Sequence, residues 1–377
     1  MPIWHLITAE YPPTAGGVGD YSKIVAEGLS SAGDEVHVWT PAAATARSAR
    51  DGIELHELPG HFGPSALAAL SRGLSGVNAD RILVQYVPHA FGLKAMNLPF
   101  CVWLAGNRHR NIFAMFHEVY YPFGGRQPIR HDLLAVVTRV MAAIVARSAT
   151  KIFISALAWE RLLLRLLPTG RAVTWLPVPS TIPVLDDPGA ANEIKSRYAA
   201  GGSLLLGHFG TYAAPLANTL AATLAIAMRE KPALCVLLMG RNGGEFHAGF
   251  ARAHPELANR IHSTGTLEAD ALSLHLSASD LMLQPYPDGV STRRTSMMAV
   301  LAHSRPTITT LGDLTERLWT EDGAVALAPA GDAAGLAAEI ARLAADGPGL
   351  QRLGMTASEF YRRRFDIKHT IGALRSA

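Results

Sequence analysis

Cysteine is scarce in this 377-residue chain: Cys101 and Cys235 are the two, far apart and each inside an apolar run. That excludes a disulfide-stapled scaffold and a cysteine-built metal centre, and it reads as two buried thiols in a reducing compartment. An excess of one charge is also lacking. The net charge is +3, too small for a dedicated nucleic-acid binder, so no nucleic-acid partner is expected. No apolar run approaches the ~18 residues of a transmembrane helix. The opening MPIWHLI is an apolar strand with neither a charged leader nor a long apolar core, and a cytoplasmic protein is expected. Metal-ligand spacings such as HxxxH or CxxC are missing and the 15 histidines are scattered, so neither a metal nor a resident cofactor is expected.

What is present is apolar area. Hydrophobic residues make up 49% and charged residues 17%, enough for two cores of roughly 150–200 residues each and too much for disorder. Short apolar runs alternate with helical patterns along the whole chain. IWHLITAE, EVHVWTP, RILVQYV, PFCVWLAG and KIFISA read as strands, as do SLLLGHFG, ALCVLLMG, LMLQPYP and PTITTLG. SKIVAEGLSSAG and NTLAATLAIAMREKP carry apolar residues at helical spacing and end on stop signals. This alternation predicts α/β architecture, with parallel sheets covered by helices on both faces. The proline-rich stretch 176–189 interrupts it as a stiff crossing, and a second series starts at Ser203.

Open parallel sheets bind ligands beyond the carboxyl ends of their strands, so the strand-to-helix loops are where function is sought. The first loop holds Gly16, Gly17 and Gly19, with Asp20 or Ser22 as the expected helix cap. His117 and Glu118 follow the Cys101 run as a candidate proton-handling pair, with Tyr120 and Tyr121 as surfaces for a sugar ring. The neighbouring Arg108, His109 and Arg110 read as a solvated loop. Gly210 and Thr211 end one strand, and Gly240 and Arg241 end another, where backbone N–H groups would meet a diphosphate or nucleoside. Each of these is also what an ordinary turn looks like. The fifth loop, YPDGVSTRRTS, places Arg293 and Arg294 at a helix start, against the positive end of the helix dipole. A bound anion would remove that conflict, and arginine suits phosphate.

Taken together, these loops resemble those of the GT-B glycosyltransferases, in particular the large retaining family four. EYPP…GGVGDY matches the family's first loop, FHEVYYP its N-domain histidine, and STGTLEADALSLHLSASDLMLQPYPDGVS the base-binding and donor-binding loops. The resemblance implies two Rossmann-like doubly wound domains facing across a cleft: residues 1–178 for the acceptor, 179–357 for the nucleotide sugar, and a helix at 358–377 crossing back. It implies a nucleotide diphosphate sugar as donor, UDP- or GDP-linked, and a small-molecule, glycan or lipid-linked acceptor, with retention and without a metal. By the same resemblance His117, Glu118 and Ser291 are the catalytic candidates. The donor would lie against Gly16, Gly17, Gly210, Thr211, Gly240, Arg241, Leu267, Asp288, Gly289, Val290, Ser291, Thr292, Arg293, Arg294 and Thr295. The family's paired glutamates correspond to Ser291 and Ala299 here, and its diphosphate-binding Arg and Lys to Thr211 and Leu216. The chain therefore resembles a subgroup with a GVSxRR loop, in which Arg293 and Arg294 supply the missing positive charge.

Two rivals are weighed against this. A nicotinamide oxidoreductase needs a GxGxxG turn and an acidic residue at the end of the next strand, but that strand ends in Thr40 and Pro41. A non-catalytic module that binds a nucleotide sugar or a partner is the alternative left open by the missing glutamates. The segment 155–171, with Leu and Trp around Arg161 and Arg165, is read as a packed amphipathic helix in preference to one resting on a membrane.

Overall fold

The computed structural model describes residues 2–14, 16–42, 52–75, 81–124, 128–199 and 201–377. The chain divides into two compact units, one formed by residues 1–178 with 367–377 and the other by 179–366.

The first unit is built on a seven-stranded parallel sheet: β1 Ile3–Ile7, β2 Glu35–Pro41, β3 Ile53–Leu58, β4 Arg81–Tyr86, β5 Asn111–Phe116, β6 Lys151–Ile154 and β7 Thr174–Trp175. Its order is β3-β2-β1-β4-β5-β6-β7. Side chains alternate across the pleat. Ile7, Trp39 and Leu58 enter one core, while Trp4, Leu6, Val36, Val38 and Ile53 enter the other. The helix Gly17–Ser31 covers the second face through Tyr21, Val25, Ala26 and Leu29, each fully buried aliphatic side chain contributing about 1.5–3 kcal/mol. The last helix, Ile367–Ser376, packs on it where Gly28 leaves room for Ile371, and Arg81 donates to the carbonyls of Leu374 and Arg375 at that helix's negative end.

The second unit has six parallel strands: β8 Leu204–Phe209, β9 Leu234–Met239, β10 Ile261–Gly265, β11 Leu281–Gln284, β12 Thr307–Leu311 and β13 Ala326–Pro329, in the order β10-β9-β8-β11-β12-β13. β9 is buried at every position, as a central parallel strand must be. Its flanking cores are separate, one around Leu220, Leu224 and Leu238, the other around Leu237, Leu276 and Met282.

One expected strand is a helix. PFCVWLAG lies in the helix Leu98–Gly106, started by Asn97, whose side chain accepts from Phe100 N at 3.0 Å, with Pro99 in the first turn. An apolar run of that length suits either state, and the start signals decide it. The strand that His117 follows is β5. Strands β3 and β10 carry too many polar side chains to stand out, and β7 has two residues. Among the described residues no helix is long and apolar enough to cross a membrane.

Candidate active site

In each sheet the strand order reverses once, between β1 and β4 and between β8 and β11. At such a point the outgoing loops diverge and leave a crevice beyond the strand ends.

In the second unit the loops after β8 and β11 meet at this point. Gln284 Nε2 donates to Phe209 O at 2.9 Å, and His208 Nδ1 lies 2.7 Å from Leu283 O. Burial pushes the His208 pKa down to about 4, so the ring is neutral at pH 7, with Nδ1 carrying the proton. Gly240 brings the loop after β9 into the same place: its φ is 114° and a Cβ there would overlap the Gly210 carbonyl. Gly210, Thr211, Gly240 and Arg241 thus share one edge with residues 285–294, and Leu267 follows β10 at that sheet's border.

The helices after β8, β9 and β11 start at Ala214, Gly243 and Thr295, and none has a side chain capping its first N–H groups. After β13 the corresponding helix is capped, with Asp332 accepting from Gly335 N at 2.8 Å. Uncapped starts leave donors and a positive potential at the crevice. Buried polar atoms without a partner lie here as well: Ser291 Oγ and Arg294 Nε. Groups of this kind are uncommon in folded proteins, and at a crevice a ligand or water would satisfy them.

The arginine pair has a partner within the chain. Arg293 Nη2 donates to Asp288 Oδ2 at 2.8 Å, and Arg294 Nη2 donates to Asp288 Oδ1. Asp288 therefore meets the cation–dipole conflict seen in the sequence, and the trio retains one net positive charge. Arg294 also lies over the Tyr286 ring at 4.7 Å and occupies the N-cap position. Ser296 does not cap the helix, because its hydroxyl pairs with Tyr286 Oη at 2.8 Å. Gly289, with φ 85°, packs against Gly312, and Val290 N donates to Thr310 O at 2.8 Å.

Beneath Ser291 and Thr292 lies a carboxylate that the sequence did not single out. Glu316, 7% exposed, accepts from Thr292 N and from Thr292 Oγ1 (2.8 Å to Oε1), and from Trp319 Nε1 at 2.9 Å. It comes from the loop after β12, ten residues beyond Pro306 in a stretch with no motif. Ala299, at the other glutamate position, is fully buried.

In the first unit the loop after β1 is fixed by Thr8, whose hydroxyl donates to Glu10 O at 2.7 Å and accepts from Ser22 Oγ at 3.1 Å. Neither Asp20 nor Ser22 caps the following helix, which starts at Gly17 with Gly16 as its cap residue. Ser22 is turned inward to Thr8 and Val18 O instead. His117 sits across from this helix, its ring edge-on to Tyr21 at 4.9 Å. Its Nε2 is 2.8 Å from Gln85 Oε1, which can only accept, so Nε2 carries the proton and Nδ1 the lone pair. Burial holds its pKa down at about 4. Glu118 pairs with His89 Nδ1 at 3.4 Å, and that hydrogen bond raises the His89 pKa. Both His89 and Gln85 escaped notice because their neighbours carry no pattern. Tyr120 has its face covered by Arg139 at 4.1 Å, so that face is taken. In the segment 155–171 the helix spans Ala158–Leu164, with Trp159 and Leu162 packed on the first core and Trp159 Nε1 donating to His117 O at 3.0 Å.

Two parallel sheets of this order and size have counterparts among solved structures. Sucrose-phosphate synthase from Thermosynechococcus elongatus superposes with a TM-score of 0.76 at 15% identity, over 100% of this chain and 98% of that one. The chain has the GT-B fold. The structure of Anabaena HepE in complex with UDP and glucose gives 0.72 at 14% identity over 100% of both chains. That of WaaG, a glycosyltransferase involved in lipopolysaccharide biosynthesis, gives 0.66 at 15% over 95% of each. No family model matches the chain, and no curated protein matches it closely enough to count as a relative.

Proposed function

We propose that the protein transfers a sugar from a nucleotide diphosphate donor, UDP- or GDP-linked, to a small-molecule, glycan or lipid-linked acceptor. The observation that carries this is the second unit's switch point: three uncapped helix starts, unpartnered buried polar atoms and a cationic trio meet on one edge. A diphosphate brings about two negative charges, and each helix-start contact supplies roughly 0.3–2 kcal/mol, too little to hold it alone. The Asp288–Arg293–Arg294 trio adds the charge, with Asp288 holding both guanidinium planes in place. The UDP and glucose bound to HepE, on the same fold, agree with a nucleotide-sugar donor. In this reading the chain belongs to the retaining family four, and the leaving diphosphate is stabilised by the arginines and N–H groups without a metal. His117, neutral with a lone pair on Nδ1, accepts a hydrogen bond from a hydroxyl of the sugar or acceptor in the first unit, beside Glu118.

Thermal-shift titration with UDP, GDP, ADP and TDP, followed by turnover of the matching sugar nucleotide, tests the proposal. One diphosphate should raise Tm by mass action, and its sugar should be consumed with an acceptor. Binding without turnover would favour a non-catalytic module, the reading that the absence of glutamate at Ser291 and Ala299 supports. If none of the four binds, the donor site is elsewhere or absent.

A further inference from the structure

A second group of side chains lies on one face of the sheet formed by β1, β2 and β3. Register pairs His5 with His37, His37 with Glu54, and Trp39 with His56. Side chains of alternating residues share a face, so these five stand together. His37 Nδ1 is 2.9 Å from His56 Nε2. Glu54 turns one oxygen to each imidazole, Oε2 at 3.4 Å from His37 Nδ1 and Oε1 at 3.6 Å from His56 Nε2. The geometry points to a site for a divalent transition metal of the zinc type, bound by His37, His56 and Glu54 at the edge of the first sheet.

The distances carry the argument. Zinc holds nitrogen and carboxylate oxygen at about 2.0–2.1 Å in tetrahedral geometry, which sets neighbouring ligand atoms about 3.3–3.4 Å apart. The two nitrogens are 2.9 Å apart, and whichever Glu54 oxygen serves as the ligand lies 3.4 or 3.6 Å from the imidazole it faces, each close to that edge. Only small rotations would separate the imidazoles and admit an ion.

The surroundings prepare His37 as a ligand, while His56 Nε2, which donates to His37 Nδ1 at 2.9 Å, would shift its proton to the other ring nitrogen when an ion binds. Glu35 Oε1 lies 3.1 Å from His37 Nε2 and accepts a hydrogen bond from its N–H, which leaves Nδ1 with a lone pair facing His56. Histidine ligands are held in this way by a carboxylate behind the ring. The His56 ring is fixed by stacking on Trp39, with centroids 4.0 Å apart and planes at 11°, and His37 stacks on His5 at 4.8 Å. Two rings locked by aromatic neighbours and one exposed carboxylate make a half-rigid claw. It opens on a surface pocket lined by Glu35, His37, Gly52 and Glu54, where water would complete the fourth corner. Two nitrogens and one carboxylate select zinc, nickel, copper or cobalt over magnesium and calcium, which want oxygen. Occupation would clip β3, an edge strand, to β2.

Zinc and cobalt(II) are the probes, used on the full chain freed of metal by chelation. Cobalt titration should give visible d–d bands of a tetrahedral ion at one equivalent, displaced by zinc and unaffected by excess magnesium. Glu54→Gln alters an exposed carboxylate and should weaken zinc by at least about tenfold, and Glu35→Gln by about tenfold. His37→Asn with His56→Asn should abolish stoichiometric binding, while His109→Asn, at an exposed loop histidine, should leave it intact. Far-ultraviolet circular dichroism identifies any variant that fails to fold, and the two glutamate variants then decide the matter. No bound equivalent of cobalt or zinc, or affinity unchanged in both glutamate variants, overturns the proposal.

Discussion

Removing the Glu316 side chain should destabilise the second unit out of proportion to its size. Its carboxylate takes hydrogen bonds from Thr292 N, Thr292 Oγ1 and Trp319 Nε1, and no cation pairs with it among the described residues. In Glu316→Ala the Trp319 and Thr292 N–H groups, both buried, lose their acceptor at about 1–3 kcal/mol each, and the hydroxyl can turn elsewhere. The expected loss is therefore about 3–5 kcal/mol, or about 10 °C in Tm for a unit of this size. Glu316→Gln should behave differently. It keeps one acceptor and sheds a buried charge, and the loss of charge assistance and the relief of desolvation work against each other, leaving a change of about 1 kcal/mol or less. Urea denaturation followed by tryptophan fluorescence measures both. A cycle with Thr292→Val should give a coupling of about 1–2 kcal/mol. If Glu316→Ala costs less than about 1 kcal/mol, or the coupling is below about 0.5, the carboxylate does not organise the loop.

Gly240→Ala should cost more than the ~1 kcal/mol of an ordinary glycine replacement, because φ is 114° and the new methyl meets the Gly210 carbonyl; a Tm unchanged within error would contradict the loop packing. His117 and His208 have pKa values lowered from 6.5 to about 4. The unfolded chain then binds more protons between those values, so stability should fall as pH drops from 6.5 to about 4 and level off below, by up to about 3 kcal/mol per histidine. Denaturation midpoints should lose part of that slope in His117→Gln or His208→Gln, and identical slopes would refute the assignment. Replacing Arg293 or Arg294 with Ala should cost about 2–5 kcal/mol in donor binding with little change in Tm, and Lys should restore only part, as calorimetry with the diphosphate found to bind would show. His117→Ala should lower kcat about a hundredfold; a variant that melts early but turns over normally would make the residue structural.

The alternation that gave the α/β class was legible because central parallel strands are apolar at nearly every position, as in β9 and β5. Edge strands left weaker marks: β3 reads IELHEL and β10 reads IHSTG, and their pairing is set by backbone and neighbours. PFCVWLAG failed for the opposite reason, being apolar enough for either state, although Asn97 and Pro99 did announce a helix. At the candidate site, glycines and the arginine pair were visible because they break local rules. Glu316, Gln85 and His89 were not, since a single polar residue on a strand or loop signals nothing until the sheet order brings another strand end beside it. Asp288 was visible, but its hold on both arginines was not, because a loop's internal ion pairing depends on its turn.

The uncapped helix starts after β8, β9 and β11 also bear on how this protein would respond to selection for robustness. Ala213 precedes one of these helices with a side chain that cannot accept a hydrogen bond, where Asp332 does that work after β13. Ala213→Asp would supply a cap of about 0.5–2 kcal/mol. It would also place a fixed anion where the proposed donor's phosphates belong, so thermal tolerance and donor affinity should move in opposite directions at this residue. A library screened for heat resistance alone would enrich such caps and drift toward folded, inactive chains.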